Sequence, residues 1–378
     1  MGRTVTAPDC PYLKPVCHAS LGEQSSRLAV RSGCPHITYA RYASCEVLDM
    51  STAMTAAVIG ASGIGKHHAK WLHALGCEVA GFAGSGNASV AATGQMLHEQ
   101  LGIQARGYTD VETMLAEVKP DLVSICSPPA MHHAHFLAAA AHGCHVMCEK
   151  PLAWDEAKSP ERLLEEAAEM AAYGGGRIAG AVNTQYVAAV APYLELCRQV
   201  GSHPGLPVSF FMQMDSRDTQ KRYGRVWIDL ASHPLSVLME FCGPGRILPG
   251  SAQVAVGEQQ TVARFDYEPH SGPVCAAEIV VRAGQTEKLV RRFGINGILA
   301  DYEGRNDEAG IFRTWLSIEG REACSDDLMY LSLSRFVQAA RGETPRPLAT
   351  LSDGYMNQAM QLALLQAANG TSIRSEQQ

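Results

Sequence analysis

The stretch "AAVIGASGIGKHHAKWL", Ala56 to Leu72, places glycines between a short apolar run and a helix-like run. Binding a dinucleotide at such a place needs a tight turn, close backbone approach to a pyrophosphate, and close packing of helix on strand. Gly60 can serve the turn and Gly65 the packing. Ser62 takes the middle position with a small hydroxyl, and Gly63 and Ile64 complete the loop. A helix starting here would offer its unpaired N–H groups to phosphates. The usual fingerprint has glycine where Ser62 stands, so a glycine turn of some other α/β fold remains an alternative on these residues alone. A second stretch, "VWIDLASHPLSVLMEF", carries Asp229 and His233. Four residues apart on one helix, the two side chains would share a face. A helix-start aspartate and a surface histidine is the plainer reading of that pair.

The segment after the second apolar run bears on the cofactor. An NAD-binding strand should end in Asp or Glu for the ribose 2′-hydroxyl. Here Ala83, Gly84, Ser85 and Asn87 carry no charge. The acid that would repel a 2′-phosphate is missing, and so is an arginine to bind one. NAD and NADP both stay open.

The bulk composition bounds the function class. The 378 residues suffice for two domains. Hydrophobic residues are 46% and charged residues 18%, ordinary for a globular chain. A net charge of −7 does not suggest nucleic acid or an anionic membrane, and neither is an expected partner. No apolar run is long enough to span a bilayer. The 12 cysteines scatter through strand-like and helix-like segments and make no disulfide framework. His142, Cys144, His145 and Cys148 cluster in sequence but run into a predicted strand, where alternate residues face opposite ways. Four ligands would not converge there, and no metal is expected.

Residues 1–53 stand apart. Cys10, Cys17, Cys34 and Cys45 fall among prolines with no periodic pattern, and no C-x-x-C pair supports a zinc knuckle with His18 and His36. There is no apolar core for a secretory signal, and four acids argue against a transit peptide. We expect a disordered extension and a cytoplasmic chain.

From Ala56 onward, strand and helix patterns alternate. Predicted helices cover Ile64–Leu75, Ala88–Leu101 and Met131–Gly143, and Thr109 with Glu112 forms a predicted capping box for a helix to Val118. Asp121–Ser127 is almost wholly apolar, the pattern of a central parallel strand. His145–Cys148 is another strand, and Ser159-Pro160-Glu161 opens a helix that ends at Gly174–Gly176. This repetition implies a doubly wound parallel sheet, a Rossmann domain, over residues 54–176. Residues 177–378 read as an α+β domain on an open, mostly antiparallel sheet. Its strands are Val208–Met214, Ala252–Val256, Thr261–Tyr267, Val274–Arg282, Glu287–Phe293 and Ile311–Ile318. Closing helices follow at Asp326–Arg341 and Ser352–Asn369.

The segment "SICSPPAMHHAHFLAAAAHGCHVMCEKPLAW", Ser124 to Trp154, resembles the Gfo/Idh/MocA oxidoreductases, which include glucose–fructose oxidoreductase and the inositol dehydrogenases. Glu149-Lys150-Pro151 matches that family's motif on its fifth strand, and Ser127, Pro128 and His132 match its turn beneath the cofactor. The resemblance implies a nicotinamide dinucleotide held by Gly60, Ser62, Gly63, Ile64, Gly65, Ser85, Ser127, Pro128, His132, Glu149 and Lys150. It implies a substrate site of Lys150, Asn183, Asp229 and His233, a cis Lys150–Pro151 bond, and a homodimer or homotetramer. The implied substrate is a small sugar, cyclitol or similar polyol.

The implied roles can be given chemical content. His233 is the expected acid/base, because an unperturbed imidazole titrates nearest neutral pH. Asp229 would orient it, and Lys150 would stabilise alkoxide character on the reacting oxygen. Three departures bear on the substrate side: Gly224-Arg225-Val226 replaces a glycine run, Ser236 replaces Asp or Asn, and Pro234 removes a helical N–H. The competing readings are a non-catalytic NAD(P)-binding regulator and a redox-neutral glycosidase that works through bound NAD. A methyltransferase is disfavoured by Glu149-Lys150-Pro151.

Overall fold

Residues 53–173 and 178–375 are described in a computed structural model, with side chains to 368. The expected extension over 1–53 and the glycine run 174–176 fall almost entirely outside the described residues.

Five short apolar strands alternate with helices in the first half. They are β1 (Thr55–Ile59), α1 (Gly65–Ala74), β2 (Glu78–Ala83), α2 (Asn87–Leu101), β3 (Arg106–Tyr108), α3 (Val111–Val118), β4 (Leu122–Ile125), α4 (His132–Ala141) and β5 (His145–Cys148). After α5 (Pro160–Tyr173), β6 (Gly180–Val182) joins the same sheet. The order is β3-β2-β1-β4-β5-β6 and every pairing is parallel. Chain order reverses between β1 and β4, which opens a crevice beyond their carboxyl ends, where ligands bind in such sheets. All four residues of β4 are buried, as expected of a central parallel strand that is apolar but for Ser124.

Two details depart from expectation. The cap of α3 is Asp110, whose carboxylate accepts from the Thr113 N–H at 2.8 Å, rather than Thr109 with Glu112. An ionised carboxylate at a helix start also meets the dipole favourably. The parallel sheet runs to Val182, past the expected boundary at 176.

The second half supplies α6 (Val190–Gln199), β7 (Ser209–Asp215), α7 (Gly224–Leu230), α8 (Ser232–Cys242), β8 (Gly245–Ile247), β9 (Gln253–Val256), β10 (Gln260–Pro269) and β11 (Cys275–Arg282). Then come β12 (Arg291–Ile295), β13 (Ile298–Asn306), β14 (Phe312–Ile318), β15 (Arg321–Asp326), α9 (Leu328–Ala340) and α10 (Leu351–Ser375). The nine-stranded sheet runs β15-β14-β13-β12-β7-β11-β10-β8, with β9 also on β10. Only the β7–β11 pair is parallel. Ala263, Phe265 and Tyr267 of β10 are buried while Arg264 is exposed, the period-2 alternation of a sheet covered on one face. The covering layer is α6, α7 and α8, with Met360 and Leu364 of α10.

The closing helices return to the first sheet. Leu333, Phe336 and Val337 of α9 share a core with Leu72 of α1 and Val58 of β1. No described helix is long and apolar enough to cross a membrane.

Candidate active site

The glycine loop joins β1 to α1. Gly60 has φ +84°, and a Cβ there would lie 2.6 Å from the Cys126 carbonyl oxygen. A Cβ on Gly65 would run into the carbonyl oxygen of Gly60. Both positions therefore require glycine, for the turn and for helix–strand approach respectively. Ser62, Gly63 and Ile64 are exposed, and no side chain caps α1. The helix start is thus left as a cradle of backbone N–H groups that fits a pyrophosphate. Ser85 is exposed at the end of β2, and nothing charged stands beside it in sequence.

Behind this loop lies a buried polar network that sequence reasoning missed. His68 sits on the inward stripe of α1, with Gly65, Ala69 and Leu72. Its Nδ1 lies 2.6 Å from Ser124 Oγ and its Nε2 2.9 Å from Glu149 Oε1. Asn183 donates through Nδ2 to the same Glu149 oxygen at 2.6 Å, and the Lys150 N–H reaches Glu149 Oε2 at 3.2 Å. Burial works against the His68 imidazolium, but Cys126 and Glu149 more than offset it and raise its pKa to about 10. Burial likewise opposes ionisation of Glu149, and His68 with Lys150 and Asn183 overcomes this to hold its carboxyl at about 2. The result is a buried ion pair, satisfied on both sides, immediately before Lys150. Glu149 is engaged by His68 and Asn183 through one carboxylate oxygen.

His132 has a comparable internal role. It is buried, with Nε2 2.9 Å from the Ser127 carbonyl oxygen and Nδ1 2.9 Å from that of Pro151. Burial lowers its pKa, against the two backbone carbonyls that favour a doubly donating ring. It ties the Ser127–Pro128 turn to the loop after β5. Pro128 is exposed on that turn. The Lys150–Pro151 bond is cis, as expected.

Lys150 reaches across to α7. Its ammonium donates to the Asp229 carbonyl oxygen at 2.6 Å and to Asp229 Oδ1 at 3.1 Å. α7 is anchored by Trp227, fully buried, whose indole donates to the Gln361 carbonyl at 3.2 Å. Burying such a side chain contributes roughly 1.5–3 kcal/mol. The expected single helix divides at Ala231, so Asp229 lies on α7 and His233 on α8. Pro234 supplies the reason: it has no N–H to bond the carbonyl one turn back.

The division has a chemical consequence that corrects the sequence reading. Asp229 Oδ2 pairs with Lys221 Nζ at 2.7 Å, and Lys221 also meets Asp218 Oδ2 at 3.2 Å. The carboxylate is therefore shared between two lysines and makes no hydrogen bond to His233. Burial pushes the Asp229 carboxyl up, but Lys150 and Lys221 hold it below the ordinary value. The His233 ring packs on Tyr186, centroids 4.8 Å apart, and its Nδ1 is buried without a hydrogen-bond partner. Burial, reinforced by the Lys150 ammonium, lowers its pKa to about 3. His233 is a neutral ring here, not a group poised to titrate near neutral pH. Asn183 Oδ1, Thr184 Oγ1 and Gln185 Oε1 are likewise buried and unpaired. Residues 183–185 run directly into Tyr186, the ring partner of His233, and buried polar atoms without partners are what a hydroxyl-rich ligand would satisfy.

Lys221 was not legible as a site residue, because a lysine in the polar run "DTQKRYGR" reads as solvated. Among the described residues no group of His, Cys, Asp and Glu is arranged to hold a metal, including His142, Cys144, His145 and Cys148.

The fold is an α/β one, a parallel Rossmann-type sheet followed by a second, mostly antiparallel sheet, with Lys150 of the first part bonded to Asp229 of the second. Residues 54–174 match the family model described as the oxidoreductase family, NAD-binding Rossmann fold (GFO_IDH_MocA). D-glucoside 3-dehydrogenase of Escherichia coli (strain K12) is 48% identical over 71 residues, a stretch covering 19% of each chain. The matched part thus spans about a fifth of that relative's length. UDP-N-acetylglucosamine 3-dehydrogenase GnnA from Acidithiobacillus ferrooxidans is 21% identical with a TM-score of 0.62, over 84% of this chain and 98% of that one. Myo-inositol 2-dehydrogenase from Lactobacillus plantarum is 15% identical with a TM-score of 0.62, over 84% and 98%. At these identities the solved structures establish a shared fold.

Proposed function

We propose that this chain is an NAD(P)-dependent oxidoreductase that moves a hydride between nicotinamide and a carbinol or carbonyl carbon of a sugar, cyclitol or similar polyol. The observation that carries the reading is the Lys150 ammonium, fixed by both the carbonyl and the carboxylate of Asp229. The glycine cradle of residues 60–65 would hold the dinucleotide, with Ser85, Ser127 and Pro128 along its length. When bound, the nicotinamide supplies or accepts the hydride. In the reducing direction, Lys150 gives a proton to the substrate oxygen while its charge stabilises developing alkoxide. Asp229 holds the lysine in place, and Lys221 holds Asp229 ionised. His233 presents a neutral Nδ1 that hydrogen-bonds a substrate hydroxyl, and Asn183 Oδ1 accepts from another. This assigns His233 to orientation and Lys150 to proton transfer, the reverse of the weighting that unperturbed pKa values favour.

The D-glucoside 3-dehydrogenase and myo-inositol 2-dehydrogenase names support a carbinol-oxidising activity on a ring polyol. In this reading the enzyme is cytoplasmic and forms a homodimer or homotetramer. The test is titration with NADH and NADPH, followed by a screen of sugars, glycosides and cyclitols with the tighter cofactor. Turnover of a ring polyol supports the proposal, and dinucleotide binding without turnover of any of them favours a regulator instead.

A further inference from the structure

Arginines on the strands of the second sheet are paired with carboxylates almost throughout. Arg246, Arg264, Arg282, Arg292 and Arg305 each have a carboxylate oxygen within 2.9 Å, and Arg313 meets Asp307 at 3.0 Å. Arg291 differs. It is half-buried at the start of β12, makes no ion pair among the described residues, and its Nε is buried with no hydrogen-bond partner. Its strand places it beside the chemistry. Arg291 pairs in register with Met214, one residue before β7 ends and the chain runs on toward Lys221 and α7. It has the same parity on β12 as Phe293 and Ile295, so it lies on the covered face that also carries Phe210, Met212 and Met214.

A stack of rings fixes the guanidinium relative to the site. It lies 5.6 Å from the centroid of Tyr302, Tyr302 packs on Tyr186 at 5.2 Å, and Tyr186 packs on His233 at 4.8 Å. The carboxylates nearby are already engaged: Asp301 pairs with Arg292, Glu303 and Glu322 pair with Arg305, and Asp327 accepts from the Met329 N–H at 2.8 Å to cap α9. The polar atoms left without partners near His233 are neutral ones, suited to hydroxyls: Asn183 Oδ1, Thr184 Oγ1 and Gln185 Oε1. A guanidinium with a free Nε has a different requirement. Its Nε–Nη edge forms two parallel hydrogen bonds with a carboxylate or phosphate, and its charge cannot be removed by deprotonation.

We propose that Arg291 is a specificity-determining residue that binds an anionic group on the substrate, so that the natural substrate is a ring polyol bearing a carboxylate or phosphate. The reacting carbinol would lie at Lys150, and the anion on the Tyr302 side of His233. This inference rests on the polyol-oxidoreductase reading above and extends it to the charge of the substrate.

The test measures binding to the protein–NADH complex by calorimetry, for D-glucose, D-glucuronate and D-glucose 6-phosphate. Wild type, Arg291→Gln and Arg291→Lys are compared, with circular dichroism and thermal melting to confirm that each variant folds. The expected result is that one of the two anions binds wild type at least tenfold more tightly than glucose. Arg291→Gln should then lower that anion's affinity roughly 10- to 150-fold, as for loss of a charge-assisted pair. Glucose should lose at least tenfold less, and Arg291→Lys should keep part of the anion preference. Preference for glucuronate identifies a carboxylate, and preference for the 6-phosphate identifies a phosphate. Equal affinity for all three probes, binding of none, or equal losses in Arg291→Gln would overturn the assignment. Anion binding through Arg291 with no hydride transfer on any polyol would leave the arginine's role standing and remove the oxidoreductase reading.

Discussion

The Lys150 ammonium is bonded twice to one residue, to the Asp229 carbonyl oxygen at 2.6 Å and to its carboxylate at 3.1 Å. The first contact uses a carbonyl at the junction where Pro234 divides the helix, and the second uses the side chain. A flexible lysine held from two directions loses most of its freedom before substrate arrives, which is how preorganisation lowers a barrier. Lys150→Ala should therefore lower turnover by roughly 10²–10⁴. NADH affinity, read by fluorescence titration, should change little. Turnover within threefold of wild type would remove Lys150 from the reaction.

Lys221 sets the charge state of Asp229. With burial opposing it, the Asp229 carboxyl stays low through Lys150 and Lys221 together. Lys221→Met removes one cation, so the Asp229 pKa rises. Activity that needs the carboxylate is then lost at higher pH as the solution is acidified. The acid limb of kcat/KM should move up by about 1 pH unit. An acid limb that stays in place would show that Asp229 ionisation does not depend on Lys221.

His233 is held at about 3 by burial and by Lys150, so it is neutral throughout the working range. His233→Asn keeps a hydrogen-bonding side chain without a titrating ring. The wild-type and variant profiles should share every inflection between about pH 5 and 8, with KM rising more than kcat falls. An inflection near neutral pH that disappears in His233→Asn would restore the imidazole as the acid/base.

The His68–Glu149 pair should be visible in stability. Glu149 is depressed to about 2, so its contribution is present above about 4.5 and fades as pH falls toward 2. His68 is raised to about 10, so its contribution is complete below about 6.5 and is lost as pH rises through 10. At neutral pH, His68→Gln leaves a buried carboxylate without its cation and should cost roughly 3–5 kcal/mol. The double variant His68→Gln/Glu149→Gln should recover part of that loss and flatten the acid limb. Urea midpoints across pH measure this. A single variant within 1 kcal/mol of wild type (about a fivefold change in the folded/unfolded ratio) would mean the pair is not ionised.

Gly60→Ala should both strain the protein and close the cradle. At φ +84° a side chain costs about 1–3 kcal/mol, and its Cβ would meet the Cys126 carbonyl. NADH affinity should fall at least tenfold (about 1.4 kcal/mol), whereas Ser62→Gly should leave it close to wild type. A full-affinity Gly60→Ala would show that the dinucleotide does not use this loop.

Much of this arrangement was readable from short-range patterns. The βαβ alternation, the buried run of β4 and the glycines at 60 and 65 each follow from residues adjacent in sequence. β13 was missed because Asp301, Glu303 and Arg305 on its outer face, with Gly304 between them, outweigh the buried alternation of Ala300 and Tyr302. The site was harder to read because its decisive contacts are long-range. Glu149 meets His68 across 81 residues and Lys150 meets Asp229 across 79. His68 did leave one signal, a polar ring on the same helical stripe as Ala69 and Leu72, which a buried partner must explain. The pKa of His233 could not be read at all, since its causes, burial first and then charges distant in sequence such as Lys150, exist only in the folded chain.

Transfer of hydride from a deuterated ring polyol to NAD or NADP tests the central claim most directly. The account predicts that wild type moves the deuterium from the carbinol carbon to nicotinamide C4, detected by mass spectrometry of the cofactor, and that Lys150→Ala does so at least a hundredfold more slowly (about 2.7 kcal/mol of barrier). Reduced cofactor that carries no deuterium, or equal rates in wild type and Lys150→Ala, would contradict it.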